Sequence, residues 1–276
     1  PLHNNFLRFN MQPVIHSLHV YPIKSCQGID YDSVELTDTG FKYDRHWMLV
    51  DKQGTFLSQR KHPSMAKIKT LITDETLEVS VEGSATLVIP LKDQSDKKTP
   101  VIIWKDSCLA TIVSPEASQW FSNFLGIDCD LVTLPDTEHR LVDTRYATSN
   151  QRVGFADGFP LLVLSRSSID LLSNKLGEQV NINRFRANII IDGCDAHEED
   201  SWSKITVNSI DILLAKACSR CVIPSIDQLS SAKHKSLLKV LATYRRTDGK
   251  VYVGQNGLHQ SNGIVSVGDP VLVSKK

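Results

Sequence analysis

Residues 217–227, Ala-Cys-Ser-Arg-Cys-Val-Ile-Pro-Ser-Ile-Asp, hold the side chains best suited to chemistry. Cys221 offers a thiolate directly after the fixed positive charge of Arg220. Thiolates bind soft or borderline metals, and a neighbouring arginine stabilises the ionised sulfur. An arginine beside such a sulfur indicates an anionic cofactor at the same place. Cys218 is interpreted as an inert, buried residue, because free cysteine commonly packs as a small apolar side chain.

Residues 21–28, Tyr-Pro-Ile-Lys-Ser-Cys-Gln-Gly, follow the first predicted strand. The Lys24 ammonium and the Ser25 hydroxyl can hold a phosphate through charge-assisted hydrogen bonds, each contributing about 1.5–3 kcal/mol. Gly28 would let the backbone approach that ligand closely. The alternative is a strand end with a solvated lysine, since surface lysines are common.

Two further basic segments add hydrogen-bond donors. Arg45, in Asp-Arg-His-Trp, can fork onto a phosphate, although an Asp-Arg turn is the simpler alternative. Arg186 and Asn188 precede a very apolar predicted strand, where polar groups are costly to bury without partners. They indicate a donor cluster that faces an anionic or heterocyclic ligand, with a solvent-exposed turn as the alternative.

Asp157 and Gly158 precede another apolar segment. The Asp157 carboxylate can accept hydrogen bonds from a ligand amine, with Gly158 leaving room for a ring, but a simple Asp-Gly turn fits equally well. A zinc or redox site at the C-x-x-C pair is a further alternative. Cys194 and His197 are near it in sequence, yet their spacing is not that of a standard zinc motif.

The elements that must position these residues are mostly short strands separated by turns, a pattern typical of a barrel or sandwich. Alternation and turn residues predict strands at residues 14–23, 32–36, 46–50, 55–58, 68–71, 77–81, 86–89, 101–104, 109–113, 160–164, 187–191, 205–207, 210–215, 264–267 and 270–273. Capping residues predict helices from Ser114 to the stop at Gly126 and over residues 167–176 and 233–241.

Composition excludes several classes of protein. Basic and acidic side chains number 31 each, which argues against a nucleic-acid binder with a broad basic surface. No segment approaches the roughly 20 apolar residues of a membrane helix. The six scattered cysteines indicate reduced thiols and a cytoplasmic protein. Residues 1–10 show no secretory pattern, and Met11 is interpreted as the natural start.

Taken in order, the motifs resemble the MOSC family, whose domains are related to the C-terminal part of molybdenum-cofactor sulfurase. The motifs are Tyr-Pro-Ile-Lys-Ser-Cys, Asp-Arg-His-Trp, Asn-Arg-Phe-Arg-Ala-Asn, Glu-Asp-Ser-Trp, Cys-Ser-Arg-Cys and Val-Gly-Asp-Pro-Val. The chain looks most like bacterial relatives of the mitochondrial amidoxime-reducing component. The resemblance implies a mainly β fold with a few helices: a smaller β-rich region over residues 11–135, whose first strand could join the barrel, and a MOSC β-barrel over residues 136–276.

The resemblance also implies a molybdenum–molybdopterin cofactor and a role for each candidate residue. Cys221 would be the protein thiolate on molybdenum, while Lys24, Ser25 and Arg45 would grip the pterin phosphate. The remaining candidates would line the pterin: Asp157, Gly158, Arg186, Asn188, Ser219 and Arg220.

By the same resemblance, the chain would reduce small N-hydroxylated compounds, such as hydroxylamines, N-hydroxylated bases and amidoximes. Electrons would come from a separate donor protein, ferredoxin-like or a flavin reductase, because no iron–sulfur motif is present in this chain. No nucleic-acid or membrane partner is expected. The alternative function is a carrier that binds the cofactor, or holds sulfur on Cys221, and hands it on without reductive turnover.

Overall fold

The computed structural model describes residues 12–92, 95–135, 137–147 and 150–276. The segment 1–10, the predicted start at Met11 and the predicted domain boundary at residue 136 lie outside the described residues, and that boundary stays a prediction.

The first half of the chain is built from short strands and one helix, α1 (Pro115–Leu125), that precedes the last of them. These strands are β1 (Val14–Val20), β2 (Ile29–Tyr31), β3 (Ser33–Thr37), β4 (Gly40–Phe41), β5 (Trp47–Asp51), β6 (Lys69–Ile72), β7 (Thr76–Ser80), β8 (Leu87–Pro90), β9 (Lys98–Ile103), β10 (Asp106–Ile112) and β11 (Cys129–Thr133).

The second half adds helices α2 (Arg166–Leu176) and α3 (Leu237–Arg245). Its strands are β12 (Arg140–Leu141), β13 (Arg152–Val153), β14 (Leu161–Ser165), β15 (Ile189–Asp192), β16 (Trp202–Val207), β17 (Ile210–Ser219), β18 (Arg246–Thr247), β19 (Lys250–His259), β20 (Gly263–Ser266) and β21 (Leu272–Lys275). Short 3₁₀ helices span Pro63–Lys67, Ile182–Phe185, Glu198–Ser201 and Ile223–Ser225. The prediction of a mainly β fold with a few helices is therefore confirmed.

The largest sheet runs in the order β2-β1-β15-β14-β19-β17-β16-β21, and β18 pairs with β19. Its neighbouring strands are antiparallel except for β14 and β15, which are parallel. Smaller sheets run β5-β11-β10-β9, β6-β7-β8, β20-β3-β4 and β12-β13. The halves share the largest sheet, because β1 pairs with β15 and buries Leu18 completely in the second half's core.

The ends of α1 follow the predicted capping residues. The Ser114 side chain accepts a hydrogen bond from the Ala117 amide at 3.1 Å, which satisfies an amide that the first helical turn leaves free. Gly126 ends the helix with φ +67°, a conformation in which glycine carries no Cβ penalty.

Two predictions of secondary structure were wrong. Residues 55–58 form only isolated bridges, Val50 to Phe56 and Thr55 to Ile102, because the turn that precedes them sends the chain across to β9. Helix α3 begins at Leu237 rather than residue 233, since the His234 amide is bonded to the Ser225 carbonyl outside any helix. The strands that were not predicted are β2, β4, β11, β12, β13, β18 and β19.

Candidate functional site

A cavity of about 510 Å³ lies between the two halves of the chain, and all ten predicted site residues line it. They come from the ends of different elements. Lys24 and Ser25 follow β1, and Arg45 follows β4. Asp157 and Gly158 follow β13, Arg186 and Asn188 precede β15, and Ser219, Arg220 and Cys221 lie at the end of β17.

Three of these residues have a left-handed backbone that is uncommon for side chains other than glycine. The φ angles are +69° at Ser25, +48° at Arg45 and +54° at Arg186. Such conformations persist where the surrounding structure over-determines them, and they cluster at binding sites. Their gathering around one cavity marks it as the candidate site.

Lys24 is a buried ammonium group tied to the opposite wall of the cavity. Its Nζ donates to the Phe155 carbonyl at 2.7 Å and to Asp157 Oδ1 at 2.5 Å. Burial lowers the pKa of Lys24, and the Asp157 carboxylate only partly offsets this. Partial burial opposes ionisation of Asp157, but Lys24, Arg60 and the Trp104 indole together hold its pKa well below the usual range.

Arg45 and Arg186 both stack on the buried ring of Tyr21, with guanidinium carbons 4.4 and 4.3 Å from the ring centroid. Arg45 also donates to Asp44 at 2.5 Å and to the Arg186 carbonyl at 2.9 Å. Burial, followed by the Arg45 charge, lowers the pKa of Arg186 to about 10, so it stays charged at neutral pH. Two like charges are therefore held side by side.

Asn188 has little hydrogen-bonding capacity left for a ligand. Its side-chain oxygen accepts from the Leu162 amide at 3.1 Å and from Arg45 at 3.2 Å. Its side-chain nitrogen donates to the His19 carbonyl at 3.1 Å. Asn188 is thus a buried positioning residue whose hydrogen bond orients the Arg45 guanidinium.

The two glycines of the candidate motifs meet different surroundings. A Cβ at Gly28 would lie 2.6 Å from the Tyr21 ring, so Gly28 makes room for that ring; the expectation that it approaches a ligand was wrong. At Gly158 a Cβ would meet no atom of the described part of the chain within 4 Å. Open space on the cavity wall at Gly158 agrees with room for a ligand ring.

The cysteine segment corrects the interpretation of Cys218. That side chain is half-buried, lines the cavity and accepts a hydrogen bond from Arg220 Nη1 at 3.1 Å. The β17–β19 register shifts between Ala217 and Ser219, where Cys218 lies opposite two residues of β19, Val253 and Gly254. Cys221 is also half-buried on the wall, so two thiols face one space.

Sequence reasoning missed Arg60, Trp104 and Lys216, which also line the cavity. Arg60 Nη2 lies 3.5 Å from Asp157 Oδ2, and its guanidinium carbon lies 4.6 Å from the Trp104 ring centroid. These residues sit in a loop, a hairpin turn and a strand without a distinctive local motif. No sequence signal in the single chain singles them out.

The wall of the cavity is strongly electropositive. Six basic side chains line it: Lys24, Arg45, Arg60, Arg186, Lys216 and Arg220. Asp157 is the acidic residue on the wall within the part of the chain that the structure describes. A concave wall with this excess of positive charge focuses potential on an anionic ligand.

A protein-built zinc site finds no support in these surroundings. Within residues 12–92, 95–135, 137–147 and 150–276, no group of three or more His, Cys, Asp or Glu side chains is placed to hold a metal ion. His197 instead belongs to a polar cluster, in which its Nδ1 lies 3.1 Å from the Ser168 hydroxyl.

No helix among the described residues has the length and apolar character needed to cross a membrane.

Two family models match the sequence. The MOSC N-terminal beta barrel domain matches residues 12–128, and the MOSC domain matches residues 150–272. A solved structure, the YUAD protein from Bacillus subtilis, aligns with 96% of this chain and 97% of its own at 12% identity and a TM-score of 0.43.

Similar proteins include mitochondrial amidoxime-reducing component 1 of Mus musculus, 29% identical over 96% of this chain and 84% of that protein. The Homo sapiens protein of the same name is 27% identical over 94% of this chain and 82% of its own. The molybdenum cofactor sulfurase of Oryza sativa is 30% identical over 87% of this chain but only 32% of its own length. Since the two family models together match most of the sequence, the chain belongs to the MOSC family, with a MOSC N-terminal beta barrel domain ahead of a MOSC domain.

Proposed function

We propose that this protein binds a molybdenum–molybdopterin cofactor in the basic cavity and reduces N-hydroxylated compounds there. The observation that carries the proposal is the convergence of six cations and the Cys221 thiol on one cavity wall. Relatives named as amidoxime-reducing components and as a molybdenum cofactor sulfurase support the same chemistry.

The donor set fits such an anionic cofactor. Arg186 Nη2 and Arg220 Nε are buried nitrogens without a hydrogen-bond partner among the residues that the structure describes. Buried polar groups are normally paired, so an unpartnered guanidinium nitrogen indicates a missing acceptor. A phosphate-bearing heterocycle supplies acceptors of that kind, and the open space at Gly158 leaves room for its rings.

In this proposal the residues have three roles. Lys24, Ser25 and Arg45 hold the phosphate, and the Cys221 thiolate ligates the metal. The pterin lies against the remaining candidates, Asp157, Gly158, Arg186, Asn188, Ser219 and Arg220. Asn188 acts through Arg45, because its amide is already occupied by protein groups.

The reaction is a two-electron reduction in which the N–O bond breaks: the hydroxylated nitrogen gains a hydrogen, and the oxygen leaves as water after uptake of two protons and two electrons. The bound cofactor supplies the two-electron redox chemistry. The chain's own residues bind and orient it, and the basic wall stabilises its negative charge. A separate electron-donor protein, ferredoxin-like or a flavin reductase, supplies the electrons.

The test is metal and pterin analysis of protein purified from a host that makes molybdopterin. We expect near-stoichiometric molybdenum and pterin in the wild type, and loss of molybdenum in Cys221→Ala. Cys218→Ala should lose less. Cys108→Ala, a half-buried cysteine away from the cavity wall, is the matched control and should retain both.

Turnover is then measured with benzamidoxime and a chemical reductant. Reduction to benzamidine by the wild type, absent in Cys221→Ala, supports the proposal. A fully metal-loaded and active Cys221→Ala variant would exclude Cys221 as the metal ligand. Zinc without pterin would exclude the cofactor itself.

A cofactor or sulfur carrier is the second candidate, and the placement of Cys218 favours it. Two thiols face one cavity, and the Arg220 guanidinium lies against the Cys218 sulfur. A carrier predicts cofactor release to an apo acceptor enzyme, or a persulfide detectable by mass spectrometry, without reduction of benzamidoxime. Sustained turnover would favour the reductase.

A further inference from the structure

Three residues that no recognised motif contains, Trp104, Arg60 and Lys216, line the solvent-accessible part of the cavity together with exposed Asp157 and Ser219, and this part is called the mouth. Trp104 and Lys216 are exposed and Arg60 is half-buried, and all three line the same cavity as Cys221. Trp104 and Arg60 come from the first half of the chain and Lys216 from the second.

Trp104 is held at the mouth against its backbone preference. It lies in the turn between β9 and β10 with φ +58°, a position where glycine or asparagine is usual. Three contacts fix its ring: the Phe56 ring at 4.9 Å, the Arg60 guanidinium at 4.6 Å and a hydrogen bond to Asp157 at 3.1 Å. Although fixed in this way, the residue remains 49% exposed, which leaves aromatic surface for a planar ligand.

Lys216 contributes a charge that the protein does not neutralise. Its Nζ lies 4.7 Å from the centroid of the Tyr146 ring and makes no ion pair among the residues that the structure describes. Asp143, the acidic residue that feels its charge, is already paired with Arg145 at 2.5 Å. Arg60 is only weakly paired, at 3.5 Å from Asp157.

The mouth of the cavity carries more positive than negative charge in the structure. Asp157 pairs with both Lys24 and Arg60, whereas Lys216 makes no ion pair among the residues that the structure describes, so Arg60 and Lys216 share at most one carboxylate. A bound cofactor would bring a phosphate with about two negative charges at neutral pH. In the proposed arrangement Lys24 and Arg45 face that phosphate, while Arg60 and Lys216 stay at the mouth.

We propose that this mouth selects planar N-hydroxylated substrates that carry a negative charge, such as a phosphate or carboxylate, over neutral and cationic ones. This inference rests on the proposed reductase function. Trp104 stacks on the ring of the substrate, and Arg60 and Lys216 attract the anionic group. A cationic substrate of the same shape is repelled.

The test compares kcat/KM within matched substrate series on the molybdenum-loaded protein. One series is benzamidoxime with a 4-carboxylate, no substituent or a 4-aminomethyl group. The other is N4-hydroxycytidine and its 5′-monophosphate, which distinguishes a carboxylate from a nucleotide phosphate as the preferred anion. We expect the anionic member to exceed the neutral one by about threefold to tenfold, since exposed charge pairs contribute modestly. The preference should shrink as ionic strength rises.

Two variants test whether residues of the mouth cause the preference for anionic substrates. Lys216→Gln should lower the anionic-to-neutral ratio, and Trp104→Leu should raise KM for every aromatic member. Lys239→Gln removes an equivalent charge from an exposed position on α3 and should leave the ratio unchanged.

The outcomes separate the two proposals. Equal kcat/KM for all members of a series, without salt dependence, overturns the charge selection and leaves the reductase function standing. If no member is reduced, the reductase proposal fails. Calorimetric binding of the same series to the loaded protein then decides the charge selection, and equal dissociation constants overturn it.

Discussion

Two glycines near the cavity differ in what surrounds them: Gly28 packs against the Tyr21 ring, and Gly158 faces the cavity. The Tyr21 ring is buried beneath two guanidinium groups, and burial raises the pKa of its hydroxyl to about 12. Only a residue without a Cβ fits against that ring at position 28, whereas a Cβ at position 158 would enter open space. The same substitution at the two glycines therefore tests two different functions.

Gly28→Ala should destabilise the fold by about 1–3 kcal/mol, because its Cβ would meet the Tyr21 ring and overpack a confined site. Gly158→Ala should change the free energy of unfolding by less than about 0.5 kcal/mol but lower the pterin content of purified protein severalfold. Urea unfolding measures the first effect, and pterin fluorescence measures the second. Equal destabilisation by both would show that the space at Gly158 is not reserved for a ligand.

At the scale of secondary-structure elements, a buried polar cluster ties together β14, α2 and the 3₁₀ helix Glu198–Ser201. Glu199 is fully buried and accepts from the Ser165 hydroxyl at 2.7 Å, while the Ser168 hydroxyl accepts from the His197 amide at 2.8 Å. Burial, reinforced by the Arg245 charge, lowers the pKa of His197 to about 4. Folding therefore favours the neutral imidazole.

This shift predicts a pH dependence of stability with a definite sign. Unfolded His197 binds a proton near its ordinary pKa of about 6.5, whereas the folded protein binds it only near pH 4. The stability that the neutral imidazole contributes is therefore fully present above pH 6.5 and is lost as the pH falls towards 4, because protonation favours the unfolded state. Between pH 7 and pH 5 the free energy of unfolding should drop by about 2 kcal/mol through this residue. Urea unfolding at both pH values measures the drop.

His197→Asn should remove that part of the pH dependence, since asparagine tolerates the φ of +62° at this position. His16→Asn, at an exposed histidine on β1, is the control and should retain the wild-type dependence. If His197→Asn loses as much stability on acidification as the wild type, the histidine is not the group responsible.

On the scale of the whole molecule, the two halves are joined at the cavity and in the large sheet. Gln59 and Gln228 exchange side-chain hydrogen bonds of 3.0 and 3.2 Å, and both are buried. Gln59 also donates to the Ser25 carbonyl at 2.8 Å. The junction between the halves thus supports the backbone of a proposed phosphate-binding residue.

The shared sheet predicts that the halves unfold together. Leu18 on β1 is fully buried in the core of the largest sheet, so Leu18→Ala should cost about 2–5 kcal/mol. The loss should appear equally in β6–β8 and in β16–β17 when amide exchange is followed by mass spectrometry under increasing urea. Protection lost in only one half would contradict a single cooperative unit.

The sequence by itself determined the fold class, the resemblance to the MOSC family and ten of the residues that line the cavity. Alternating strands and capping residues act locally, so they can be recognised in a single chain. Arg186 stood out because polar groups beside an apolar strand need partners, and Lys24 and Arg45 stood out because their charged groups can hold a phosphate.

Only the tertiary structure decided how those residues are used. Cys218 lines the cavity beside an irregularity in the β17–β19 pairing, and Asn188 is occupied with protein groups. Trp104 and Lys216 reach the mouth because distant segments of the chain meet there. Bulges, long-range pairing and competition for hydrogen bonds depend on neighbours far away in sequence, so no local pattern encodes them.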